Sequence, residues 1–115
     1  MLAIKHILFP MDFSDRCCAA VPFVSKMANR FGAKITLISV VQPFWYSSAG
    51  DMGGAIAIDM EEIPRDVKTR LDTAAAKEFA SLPTDTFAEI GEPAQVILEY
   101  AHTNGVDLIM MPTHG

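Results

Sequence analysis

Basic clusters are missing from this chain. It has nine Lys and Arg against fourteen Asp and Glu, a formal net charge of −5. Phosphate-backbone binding draws on Lys/Arg patches, so nucleic acid is excluded as the main partner. Cysteine is scarce too: the only two, Cys17 and Cys18, are sequence neighbours. Adjacent residues rarely bridge, so no disulfide framework is expected; two small helix residues in a reducing cytoplasm fit better. No apolar run approaches the roughly 20 residues that cross a bilayer. The N-terminus leads straight into an apolar strand pattern, without a signal-peptide hydrophobic region. Histidine pairs, Cys/His sets and carboxylate clusters at metal-ligand spacing are lacking. So are a P-loop and a Gly-x-Ser-x-Gly elbow. There is no low-complexity tract and no clear repeat.

What is present is ordinary globular composition, half hydrophobic and one fifth charged, in 115 residues. That length suits one domain with a real core. The organising stretch is Lys5–Ser14. Ile7, Leu8 and Phe9 form an unbroken apolar run, as in a strand buried on both faces of a parallel sheet. Pro10 should stop it for want of an N–H. Asp12 follows at the carboxyl end, and Ser14 suits a helix N-cap. Open α/β sheets bind ligands where a strand ends in a short polar loop that feeds a helix. An aspartate there is commonly a turn former or a cap, so alone it is a weak signal.

The rest alternates. A helix is expected over about Asp15–Phe31, with Val21, Val24, Ala28 and Phe31 on its buried face, Pro22 as a kink and Gly32 as the stop. Lys34–Val41 is a second buried strand. Pro43–Ile58 holds a proline, three glycines and the only tryptophan, Trp45, and reads as a long mobile connection. A helix from about Glu61 or Pro64 to Ser81 buries Ile63, Val67, Leu71, Ala75, Phe79 and Leu82. Its polar side, Arg70 included, reads as a solvated face without chemistry. Thr84–Ile90 should be a short, more polar strand at or near an edge. Glu92-Pro93 opens a third helix with Val96, Ile97, Tyr100 and Ala101 inward, ended by Asn104-Gly105. Val106–Met111 is the fourth strand. This order predicts a parallel α/β sheet with right-handed crossovers and helices on both faces. The Pro10–Ser14 and Pro112–Gly115 loops would then meet at a crevice walled by the end of the second strand near Val40. A carboxylate, glycine-lined backbone and an apolar wall suit a nucleotide.

His6 is expected as a surface or satisfied strand-end residue and His102 as exposed. His114, beside the crevice, is the histidine worth testing. The methionines Met27, Met52, Met60, Met110 and Met111 read as core or loop filler. Asp12 has no evident acid, base or metal partner and is not read as a catalyst.

Ile7-Leu8-Phe9-Pro10-Met11-Asp12-Phe13-Ser14, Gly91-Glu92-Pro93-Ala94 and Asp107-Leu108-Ile109-Met110-Met111-Pro112-Thr113-His114-Gly115 together resemble the universal stress protein (UspA-like) family, along the whole chain. The resemblance implies a Rossmann-like fold of five parallel strands, of which four are present and the fifth is missing. It also implies a single domain over residues 1–115, frequent homodimerisation and a cytoplasmic stress-response role without strong catalysis, at most weak ATP hydrolysis. One branch of the family binds ATP. Carried over, its nucleotide-binding positions look like Pro10, Met11, Asp12, Val40, Pro112, Thr113, His114 and Gly115. Gly115 would begin the phosphate-binding glycine signature, so the chain is expected to be truncated within it. ATP or another adenine nucleotide, with Mg only if ATP is bound, would then be held weakly. Pro112 stands where the family often has glycine, which stiffens the loop and removes a donor. A bare edge on the fourth strand should favour self-association. Two rivals remain: an interaction module that does not bind nucleotide, and an α-hydrolase-like enzyme. The second lacks the Ser-Gly-Gly phosphate loop, replaced by Pro10-Met11-Asp12-Phe13. No membrane or nucleic-acid partner is expected.

Overall fold

A computed structural model describes residues 3–42 and 62–112. Seven elements alternate: β1 (His6–Pro10), α1 (Asp15–Phe31), β2 (Lys34–Val41), α2 (Glu62–Glu78), β3 (Thr84–Ile90), α3 (Pro93–Thr103) and β4 (Leu108–Ile109). The four strands form one sheet in the order β3-β2-β1-β4, and every pairing is parallel. The expected α/β architecture is therefore present. The Pro43–Ile58 stretch, Met52, Met60 and the Thr113–Gly115 triplet lie outside the described residues.

The two faces follow from strand alternation. Ile7 and Phe9 of β1 and Ile35 and Leu37 of β2 point into one core. Val21, Val24 and Ala28 of α1, Leu71 of α2 and Phe79 just beyond it fill the same core. Phe9 and Phe79 meet edge-on, with centroids 6.4 Å apart. On the opposite face Ile38 is in register with Phe87, and the Phe87 ring lies 4.9 Å from Tyr100 of α3. So α1 and α2 cover one face and α3 covers the other. The crossover from β1 to β2 and the one from β3 to β4 leave the sheet in opposite directions. The topological switch point is therefore between β1 and β4, beyond their carboxyl ends.

Several local expectations need correction. Pro10 is the last residue of β1 rather than the first beyond it; the ladder continues because Met11 N–H donates to Ile38 O at 2.8 Å. His6 is the first residue of β1 and is buried, so of the two expectations it is the satisfied strand-end residue and not a surface one. Helix α1 keeps its expected bounds, Asp15–Phe31, with Pro22 inside it, and Gly32 ends it as expected, at φ +64°. Phe31 is 36 % exposed, because the helix face turns away from the sheet at its last residue. Strand β3 has seven residues and is an edge; its polar positions Asp85 and Glu89 are exposed. Its bounds are the expected ones, and it pairs with β2 along its whole length. Strand β4 is shorter than Val106–Met111, although Asp107 N–H and Met110 N–H still donate to His6 O and Leu8 O. Helix α3 buries no residue fully; Val96, Ile97, Tyr100 and Ala101 are half-buried.

Candidate functional site

The bend between β1 and α1 is built from three consecutive side chains. Asp12 Oδ1 accepts the N–H of Ser14 at 2.9 Å, an Asx turn in which the side chain mimics a backbone carbonyl. Ser14 then caps α1, its Oγ accepting the Cys17 N–H at 3.2 Å. Between them, Phe13 adopts φ +63°, the one non-glycine residue with positive φ among the described residues. A left-handed conformation costs a side chain with Cβ about 1–2 kcal/mol. The Arg70 guanidinium carbon of α2 lies 4.0 Å above the centroid of the Phe13 ring, a contact worth about 0.5–1 kcal/mol at an exposed site.

Electrostatics follow from the same bonds. The Ser14 side-chain hydrogen bond, then that of Cys17, then the Ser14 N–H hold the Asp12 carboxyl below its ordinary range; burial opposes them weakly. Asp12 is exposed and ionised at neutral pH, an acceptor with lone pairs to spare. Cys17 is its opposite. Its thiol is buried, donates toward Pro10 O at 3.7 Å, and is pushed up by desolvation, so it stays protonated.

These residues border a cleft of about 650 Å³ at the switch point. Pro10, Met11 and Asp12 line it from β1, Ile38, Val40 and Gln42 from β2, and Met111 and Pro112 from beyond β4. The first turns of α1 and α3 close it, through Ser14, Cys17, Pro93 and Ile97. Glu92 positions α3 by accepting the N–H groups of Ala94 and Gln95 at 3.3 and 2.7 Å, with Pro93 in the first helical turn. The volume falls within the usual range for small-molecule sites. Of the residues expected at the crevice, Pro10, Met11, Asp12, Val40 and Pro112 come together here. Thr113, His114 and Gly115 are outside the described residues.

The family model for the universal stress protein family matches residues 3–115. The chain belongs to the universal stress protein family. Solved structures agree on the fold. The hypothetical protein MJ0577, studied for structure-based assignment of its biochemical function, aligns at TM-score 0.77 and 20% identity, over 99% of this chain and 78% of its own. Universal stress protein UspA from Lactobacillus plantarum aligns at TM-score 0.59 and 24% identity, over 100% and 83%. A universal stress protein in complex with cAMP aligns at TM-score 0.55 and 19% identity, over 94% and 71%. A comparison with curated proteins finds no match.

Sequence reasoning overlooked part of this universal stress fold's cleft. Gln42 sits one residue past β2 and carries no signal in the sequence. Ile97 reads as an inward helix residue, and only the tertiary fold brings it to the cleft. Arg70 reads as one charge on a solvated helix face, whereas it stacks on Phe13. Among the described residues no group of His, Cys, Asp or Glu is arranged to hold a metal ion, and no helix is long and apolar enough to cross a membrane.

Proposed function

We propose that this chain is an adenine-nucleotide-binding stress-response module of the universal stress protein type, without strong catalysis. The observation that carries the reading is the pairing of Asp12 and Val40 across one cleft at the sheet's switch point. An ionised carboxylate accepts from ribose hydroxyls or an exocyclic amine. The apolar wall of Ile38, Val40 and Ile97 suits the faces of an adenine ring, and the strand end beside Gln42 offers backbone groups to its edge. In this reading the phosphates extend toward Pro112, Thr113, His114 and Gly115. With ATP, magnesium would be held by the nucleotide's own phosphates and would supply charge neutralisation there, since no group of His, Cys, Asp or Glu among the described residues is arranged to hold it. The cAMP bound by one structural relative supports adenine nucleotides as the ligand class. The Asp12 carboxyl is stabilised as an anion by its hydrogen bonds, the form that accepts from such donors. Homodimerisation and a cytoplasmic location belong to the same proposal, on family grounds.

Calorimetric titration of ATP and of cAMP into the chain and into Asp12→Ala tests it. A hydrogen bond to a charged group is worth about 1.5–3 kcal/mol, so Asp12→Ala should bind about 10- to 150-fold more weakly. Absence of heat with both nucleotides overturns the reading, and equal affinity in the variant removes Asp12 from the site.

A second reading, an interaction module, is favoured by the edge of the sheet. Among the described residues β4 has a strand partner on one side only, while Leu98 and Met111 are 63 % and 57 % exposed. An unpaired strand edge is a template for another chain. Sedimentation should then show concentration-dependent self-association; a monomer at high concentration removes this reading.

A further inference from the structure

We propose that Arg70 is a positioning residue of the Asp12 cleft: by stacking on Phe13 it holds the left-handed bend that aims the Asp12 carboxylate. Arg70 is not among the residues that line the cleft. Its ring contact is with Phe13, the residue next to Asp12.

The bend is fixed at both ends by hydrogen bonds. On the strand side, Met11 is buried and its N–H is bonded to Ile38 O. On the helix side, Ser14 is tied to Cys17. Phe13 joins the two at a φ that L-residues with large side chains rarely adopt. Relaxing that φ would swing the Ser14 N–H away from Asp12 Oδ1, undoing the turn that orients the carboxylate. Packing alone holds the ring incompletely. One side of Phe13 rests against the core, but the ring also borders a cavity of about 340 Å³ between α1 and α2, shared with Met11, Arg70, Thr73, Lys77 and Glu78. On that side, where Arg70 and Phe13 both border the cavity, the guanidinium lies 4.0 Å from the ring centroid. Arginine suits this stacking, being planar and always charged. Lys77 and Glu78 offer opposite charges beside the same cavity, so the ring contact rather than net charge distinguishes Arg70.

The affinity arm of the test rests on the nucleotide reading; the titration arm does not. In Arg70→Ala the Asp12 carboxyl, followed by NMR, should titrate closer to the ordinary carboxylate range. ATP or cAMP should bind about 2- to 5-fold more weakly, the factor that a lost exposed cation–π contact gives. Arg70→Lys should fall between the two. Glycine adopts positive φ without strain, so in Arg70→Ala/Phe13→Gly the Asp12 titration should return toward that of the wild type. This recovery separates positioning from the simple loss of a positive charge. A structural role alone would lower the melting temperature and leave the Asp12 titration in place. The proposal is overturned if Arg70→Ala leaves the Asp12 titration unchanged, or if the Phe13→Gly background restores nothing. Should the wild type bind neither nucleotide, the nucleotide reading fails, and the Asp12 titration still decides the role of Arg70.

Discussion

His6 Nε2 in β1 lies 2.7 Å from Thr36 Oγ1 in β2, with both residues buried in the sheet. The other ring nitrogen, Nδ1, is 3.3 Å from Asn104 O beyond α3. A carbonyl only accepts, so Nδ1 donates. At the same rim, Asp107 Oδ2 accepts the N–H groups of Lys5 and His6 at 2.8 and 3.1 Å. Together these contacts join β1, β2 and the entry to β4 at the amino-terminal edge of the sheet, opposite the cleft. His6→Ala strands the fully buried Thr36 hydroxyl, and an unsatisfied buried polar group costs about 1–3 kcal/mol. Urea denaturation should show that loss. The double variant His6→Ala/Thr36→Val should recover much of it, because no orphan hydroxyl remains. Ligand affinity at the cleft should not change in either variant. If His6→Ala were as stable as the wild type, the contact would not be a stabilising one.

Gly91 and Val96 set how closely α3 follows β3. A Cβ built on Gly91 would lie 2.7 Å from Val96 Cγ2, too close for any real contact. Gly91→Ala therefore forces the branched Val96 side chain, and α3 with it, away from the sheet. Overpacking of this kind costs about 1–3 kcal/mol. The helix also carries Pro93 and Ile97 to the cleft, so the same substitution should weaken ligand binding. Gly91→Ala/Val96→Ala opens the space and should regain part of the stability. Thermal unfolding of the wild type and both variants measures this; a Gly91→Ala protein with unchanged melting temperature would show that α3 does not need the close approach.

The alternation of apolar runs with 3.6-residue stripes made the parallel sheet legible in the sequence, since strands buried on both faces need continuous hydrophobics. The bounds of α1 were equally readable, because Ser14 and Gly32 act through their own local geometry. Asp12, Pro10 and Val40 could be placed at one crevice because strand ends and switch points follow from element order alone. Other features depend on tertiary proximity that no local pattern encodes. Phe13 gives no sign of its positive φ, as it is neither glycine nor asparagine. Arg70 lies 57 positions further along, on a helix whose polar face reads as solvent-exposed. His6 and Thr36 are 30 residues apart, and only the β1–β2 register makes them neighbours. The extent of β4 is smaller than its apolar run, because such a run does not say how many of its residues pair; Leu108 and Ile109 do.

The two cysteines sit side by side in sequence and in opposite environments. Cys17 is buried and Cys18 exposed. Desolvation pushes the Cys17 thiol up, and the thiolate is the reactive form. An aromatic disulfide reagent at pH 8 should therefore modify one thiol quickly, at Cys18, and the second only after denaturant is added. Cys18→Ser should abolish the fast phase. Rapid modification of both sites in the folded protein would contradict the burial of Cys17 beneath the Asp12 bend.

Asp12 gives a pH dependence whose sign is fixed by its hydrogen bonds. Its folded carboxyl titrates below the ordinary range, so near pH 4 the unfolded chain binds more protons than the folded one. The stabilisation is complete above about pH 4 and is lost as the pH falls through the lower, folded value. Asp12→Asn keeps an acceptor for the Ser14 N–H but has no charge to titrate. The stability difference between wild type and Asp12→Asn should therefore hold steady from about pH 5 to pH 8 and narrow below about pH 4. The narrowing is small, because an exposed carboxylate is screened by solvent. Nucleotide affinity should follow the same course, level across neutral pH and falling in acid as the acceptor is protonated. For cAMP, whose phosphodiester does not titrate there, a fall in affinity already evident between about pH 7 and pH 6 would point to a titrating protein group other than a carboxylate, and Asp12 would no longer be the charge that the ligand requires.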